Sequence, residues 1–253
     1  MKIIFSLFIV LLLFACSEEV TKNAETKKTE IVETLEQKIA HHVEAALEIP
    51  ATEEYTIETF SAQLNTDDSL DMIITVNLLD RAMKKALNSK NLATRVESGY
   101  MGRYNFLFFL DGASKKISVE IPVPSSAMSN LNVKFEHIRS EAYYDVLVSY
   151  KLENASFTRF FTIINRLPKE IFEMMNYEGL GDKENRAYYI KYDDGSYSLS
   201  KDILIYKGKL EQVQFDDPKK VYEYEPKIEE TDVLDRKWFF NDNDLKYYTR
   251  KEK

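Results

Sequence analysis

The segment Gln63-Leu64-Asn65-Thr66-Asp67-Asp68-Ser69-Leu70-Asp71 sets oxygen-bearing side chains at its first, third, fifth and ninth positions, directly ahead of the apolar run Met72-Ile73-Ile74. A hard cation such as calcium takes roughly six to eight oxygens at about 2.3–2.6 Å, and a tight loop of alternating polar side chains supplies several of them. Asn65, Asp67 and Asp71 are therefore the candidate metal ligands. Other groups capable of chemistry are few. His41 and His42 are adjacent on a helical stretch, so their side chains point about 100° apart and cannot share one ion; they read as solvated helix-face residues. His137 falls in the alternating run Val133, Phe135, His137 and reads as structural. The chain has no G-x-S-x-G elbow, no phosphate-binding G-x-x-x-x-G-K-[ST] and no H-E-x-x-H. The pairs Asp67-Asp68, Asp193-Asp194 and Asp216-Asp217 imitate glycosidase carboxylates, although that chemistry depends on a separation in space rather than in sequence. Tyr143-Tyr144, Tyr188-Tyr189 and Tyr247-Tyr248 offer rings that stack on sugars or pack on half-buried strands.

The only cysteine, Cys16, ends the apolar run Ile3 to Ala15. That run is too short for a transmembrane helix, which needs roughly 20 apolar residues, and it has the form of a secretory signal. Leu13-Phe14-Ala15-Cys16 resembles the lipobox of bacterial lipoproteins. The resemblance implies cleavage before Cys16 and acylation of Cys16, which becomes the first residue and anchors the chain to the membrane through acyl chains. It also implies an outer-membrane location, on the periplasmic face or the cell surface; the acidic pair Glu18-Glu19 resembles the export tag of surface lipoproteins. Residues 17–30 are polar without apolar periodicity and read as a flexible tether.

The segment 63–74 resembles the calcium loop of FG-GAP and VCBS-type β-propeller repeats, in which acidic residues and a central Gly surround the ion. Gln63 stands where that pattern has its first Asp, and Asp68 stands at the Gly position, where a side chain resists the sharp turn. A vestigial acidic turn is the reading adopted, with calcium as the alternative cofactor. A weak echo runs from Leu70-Asp71-Met72-Ile73-Ile74 to Tyr144-Asp145-Val146-Leu147-Val148.

The elements that would position these residues follow from periodicity. Ile31, Val32, Leu35, Ile39, Val43, Ala46 and Leu47 share one face of a helix that stops before Pro50, and Leu78 to Ala93 regains a helical period. Strands are expected at Tyr55–Leu64, Met72–Val76, Tyr104–Leu110, Ile117–Val123, Val133–Ile138, Val146–Leu152 and Phe157–Ile164. A short helix is expected around Lys169–Met175, then strands at Ala187–Tyr192, Ser196–Leu199, Ile203–Tyr206 and Leu210–Phe215, with Trp238-Phe239-Phe240 docking the C-terminus. This predicts an α+β protein: signal 1–15, lipidated Cys16 and linker 16–30, and a single mainly antiparallel body 31–253.

Composition bounds the function. The chain of 253 residues has 44% hydrophobic and 30% charged residues, a balance that folds. Its net charge of -8 argues against nucleic-acid binding. The sequence points to a non-enzymatic, envelope-anchored binding or assembly module with a protein or glycan partner; the alternative is a carboxylate-dependent hydrolase of an envelope or external glycan.

Overall fold

The computed structural model describes residues 33–250, without the side chains of Thr94 and Val96; the expected signal, Cys16 and the tether lie outside the described residues. Contacts divide the chain into residues 1–34 and 35–253. The second unit is mainly antiparallel β with helices at its start, an α+β fold.

Helix α1 (Leu35–Ala46) buries Ile39 and Val43, one turn apart. It ends in a Schellman turn: Glu48 takes a left-handed backbone (φ 50°) and Ile49 N–H donates to Glu44 O at 2.9 Å. Strands β1 (Thr56–Ala62) and β2 (Asp71–Asn77) form a hairpin. Helices α2 (Leu79–Leu87) and α3 (Leu92–Glu97) follow in place of the single helix expected over 78–93. The break falls at Asn88, whose amide donates back to Lys84 O, and at Ser89, whose hydroxyl accepts from Asn91 N–H.

The next strands are β3 (Met101–Gly102), β4 (Asn105–Leu110), β5 (Ile121–Pro122) and β6 (Ser125–Ser126). The first sheet has the order β1-β2-β4-β5. Its central strands are apolar on both faces because both are covered. On one side Ile74, Val76, Phe106 and Phe108 meet Ile39, Val43, Leu47 and Ala82 of the helices. On the other, Ile73, Leu107 and Phe109 meet Val146, Val148, Phe161 and Ile163.

Those partners belong to an eight-stranded meander: β7 (Asn132–Glu136), β8 (Asp145–Leu152), β9 (Ala155–Ile164), β10 (Leu167–Glu178), β11 (Arg186–Asp193), β12 (Asp202–Leu210), β13 (Ile228–Asn241) and β14 (Lys246–Thr249). Strands β10 and β11 pair only at Tyr177–Ala187 and Glu178–Arg186. Beyond that junction the halves fold on each other, joined through Phe160, Phe172, Ile203, Ile205, Phe240 and Tyr247. Three four-stranded layers thus stack in chain order.

Three sequence expectations are corrected. Residues 169–175 are strand, not helix. Register shifts at Glu170/Phe172 and Met175/Tyr177 put Ile171 and Phe172 both inside, breaking the period of two and imitating a helical one. Residues 196–199 form a loop, since Ser196 N–H and hydroxyl both donate to Asp202. The strand expected over 210–215 ends at Leu210; Val213 and Phe215 pack without ladder pairing.

Candidate functional site

The metal-ligand candidates do come together. Asp71 is fully buried at the first position of β2, and its carboxylate accepts from Gly112 N–H at 2.8 Å and from the Asn65 amide at 2.7 Å. The Asn65 side-chain oxygen accepts from Asp67 N–H, and Asp67 in turn accepts from Ser69 N–H at 2.9 Å. The Gln63 amide donates to the backbone oxygens of Asn65 (3.0 Å) and Asp67. Two amide N–H groups therefore point at the oxygens a cation would take, and this donor set does not fit a calcium ion. Asp111 is turned to Ser114 N–H and to Arg166 at 3.5 Å. Among the described residues no cluster of three or more His, Cys, Asp or Glu offers a metal site. Burial, with the charges of Asp67 and Asp111, pushes the Asp71 carboxyl above its usual range.

The histidines divide. His42 is not simply solvated: Nε2 lies 3.1 Å from Ser118 O and the ring packs edge-on to Phe108, because helix α1 lies on the first sheet. His137 is structural, stacked on Tyr144 at 3.9 Å.

The echo at Asp145 proves to be one of three. Asp71 pairs with Ala62, Asp145 with Glu136 and Asp202 with Asp193, each closing a hairpin with eight intervening residues. Each Asp is almost wholly buried and holds the third loop residue: the Asn65 amide, Arg139 N–H (2.8 Å) or Ser196 N–H (3.1 Å). The loops also bond in succession, Tyr144 N–H to Gln63 O and Lys201 N–H to Ile138 O, both at 2.8 Å. Sequence reading missed the third copy because Ser196 and Ser198 stand where the first loop has Asn65 and Asp67, although Asp194 keeps an acidic first position; the shared signal is an Asp starting an aliphatic strand.

The principal concave site is a cleft of about 830 Å³ between β1, β7 and the two halves of the meander. One face of β8–β10 builds it and changes character along its length. At one end Leu147, Phe160 and Phe172 stand side by side and pack on β12–β14. Two residues along, Ser149 and Thr158 turn the same face polar beside Met174, which pairs with Thr158, and Asn176, in the β10 bulge, reaches Thr158 from the next position. The Ser149 hydroxyl meets Thr158 at 2.8 Å, Thr158 donates to the Asn176 oxygen at 3.0 Å, and the Asn176 amide donates to Ser156 at 3.0 Å. The buried Tyr177 hydroxyl lies near Ser156 without a hydrogen bond of standard geometry.

The cleft's walls are tied by buried polar anchors. Lys151, 5% exposed, donates to Tyr222 O (3.1 Å) and Tyr224 O (2.8 Å) and pairs with Glu225 at 2.8 Å. Three donors with three acceptors make burial of this ammonium tolerable. The Ser129 hydroxyl donates to the same Tyr222 O, while the Asn77 and Asn105 amides bind the 125–129 backbone. Glu58, Glu136, Glu223 and Glu225 line the cleft against Lys134 and Lys151, with Tyr150, Tyr177 and Tyr192 among the aromatic walls.

Among the described residues no helix is long and apolar enough to cross a membrane. Compared with protein-family models, with curated proteins and with solved structures, the chain shows no match.

Proposed function

We propose that the chain is a lipid-anchored, non-catalytic binding module of the bacterial outer envelope, which takes a polar, neutral or cationic ligand in the cleft between its stacked layers. The observation that carries this is the switch along one sheet face from Leu147-Phe160-Phe172 to Ser149 and Thr158, with the bulged Asn176 hydrogen-bonded to Thr158. A closed core would continue the apolar packing; hydroxyl and amide groups facing an open volume of this size are the makings of a ligand site. Four carboxylates against two lysines disfavour an anionic ligand. The lipobox resemblance at Leu13-Phe14-Ala15-Cys16 supports the anchor, with Cys16→Ser expected to abolish labelling by a fatty-acid analogue.

The experiment is a binding screen of neutral oligosaccharides and lysine-containing peptides against wild type and the pair Thr158→Val, Asn176→Leu. The Ser149 and Ser156 hydroxyls lose these partners at a cost of about 1–3 kcal/mol, so the variant should fold, less stably than wild type, and lose binding. Equal binding by both proteins defeats the reading. A second reading, glycan hydrolysis, is favoured by Glu58 and Glu136 lining the same cleft beside Tyr192; turnover that disappears in Glu58→Gln or Glu136→Gln would establish it instead.

A further inference from the structure

The three hairpin loops stand in a row, and the last has no successor to cover it. The first loop is bonded to the second and the second to the third, whereas the outer flank of residues 194–201 faces solvent. That flank is aromatic. Tyr197 is 59% exposed and Leu199 fully exposed, and Tyr248 on β14 is 48% exposed. Phe239 meets Tyr197 edge-on at 5.1 Å. These rings, with Asn241, Asp242, Asn243 and Arg250, surround a cavity of about 400 Å³ separate from the cleft.

Two features distinguish this pocket from incidental exposure. The first is rigidity. Tyr197 sits in a loop held by buried Asp202 through Ser196 N–H and its hydroxyl, with Lys237 paired to the same carboxylate at 3.0 Å. Ser200 N–H closes on the Ser198 hydroxyl at 3.1 Å. A large ring held still in water has already lost the conformational entropy that binding would otherwise cost. The second is the pairing of stacking faces with directional polar groups. The Arg250 guanidinium lies 4.7 Å from the Tyr197 ring centre and 5.7 Å from that of Phe239. It has no carboxylate partner among the described residues. Asn241 and Asn243 place carboxamides at the β13–β14 turn, and Asp242 adds a carboxylate.

We infer that this pocket binds a pyranose ring, whose C–H face stacks on the Tyr197 and Tyr248 rings while its hydroxyls take the carboxamide, carboxylate and guanidinium groups. An apolar peptide side chain would leave those polar groups unpaired at the rim, and a planar anion would face Asp242. The site shares no lining residue with the cleft.

The test is saturation-transfer NMR on the detergent-solubilised full chain with methyl glucopyranoside, methyl galactopyranoside and methyl mannopyranoside, and with sorbitol as an acyclic polyol. At least one pyranoside should show saturation concentrated on the C–H groups of one ring face, with sorbitol silent. Tyr197→Ala should weaken binding at least tenfold, Tyr197→Trp should retain it, and both should melt like wild type because the ring is largely in water. Silence with every pyranoside overturns the inference. Undiminished saturation in the double variant Tyr197→Ala, Tyr248→Ala overturns it too, and would place the sugar elsewhere, as in the cleft.

Discussion

The first and third hairpin loops share a length, a register and a buried aspartate, yet they hold opposite contents. Residues 63–70 fold their polar groups inward, with the Gln63 and Asn65 amides and the Asp67 and Asp71 carboxylates satisfying one another and the backbone. Residues 194–201 close on Asp202 and on the Ser198 hydroxyl and send Tyr197 and Leu199 into solvent. The aspartate is thus a shared fastening, and the intervening residues decide what the loop presents. In the first loop the interleaved amides hold the oxygens that the spacing offers to a cation.

The strongest way to break the comparison is to remove the fastening. Asp71→Ala strands Gly112 N–H and the Asn65 amide in the interior, a loss of about 3 kcal/mol. Asp202→Ala should lose less, about 2 kcal/mol, because its partner Lys237 is partly exposed and can rehydrate. Melting points should fall by roughly 2–4 °C per kcal/mol for a chain of this size. Equal losses, or a larger one at Asp202, would show that rehydration of Lys237 does not lessen the cost.

Next in size is the close backbone approach beside each loop. A Cβ on Gly112 would lie 2.0 Å from Leu70 O, and one on Gly195 would lie 2.2 Å from both Ser198 O and Ser200 O. These are backbone atoms with no rotamer of escape, so each Gly→Ala should cost about 1–3 kcal/mol. Because the third loop faces solvent, Gly195→Ala should relax by moving the loop, shifting the Tyr197 ring resonances in NMR. Gly112→Ala should instead appear as lost stability in denaturant unfolding. A shifted Tyr197 with unchanged melting in both variants would contradict this division.

How much of this was legible follows from what each signal measures. The strands β2 and β4 were readable because apolar runs covered on both faces leave continuous hydrophobic stretches in sequence, and β8 and β9 because β-branched and aromatic residues recur along them. Strand β10 was misread because its two bulges replace alternation with a near-helical spacing. Asn65, Asp67 and Asp71 do meet in one folded turn, since side-chain oxygens before a strand mark such a turn, but the direction of an amide is a property of the fold. The cleft was invisible: the β8–β9 register brings Ser149 to Thr158, and the β10 bulge brings Asn176 to the same group, neither of which shows in sequence.

The carboxylates also differ in how pH should act on them. Burial raises the Asp145 carboxyl, as it does Asp71, and neighbouring backbone N–H groups offset this only in part. With the folded pKa above the unfolded one, folding favours the protonated group. Its stabilisation is complete below the ordinary carboxylate range and is lost as pH rises through the raised value. Asp71→Asn and Asp145→Asn remove that titration. Denaturant unfolding at about pH 4 and pH 7 should show each variant gaining on wild type as pH rises; a constant difference would mean the carboxyls are not perturbed.

The smallest expected effect is the response to calcium, and it bears most directly on the first loop. In wild type the Gln63 amide already bridges the Asn65 and Asp67 carbonyls, and the Asn65 amide already meets Asp71. An ion would have to displace both amides and face an uncompensated donor on each. Millimolar calcium should therefore move the melting point by less than about 1 °C, since only a ligand preferring the folded state stabilises it. The third loop carries Asp194, Ser196, Ser198 and Asp202 at the same four positions, with serine hydroxyls where the first has Asn65 and Asp67, and serves as an internal comparison. Replacing Gln63→Asp and Asp68→Gly together would remove the bridging amide and free the turn. That variant should gain a calcium-dependent rise, up to about 2.7 kcal/mol at a hundredfold excess over Kd. If wild type instead rises by several degrees and Asp67→Ala cancels the rise, then the amides are gates that rotate away from a working cation site, and the two loops differ in chemistry as well as in what they present.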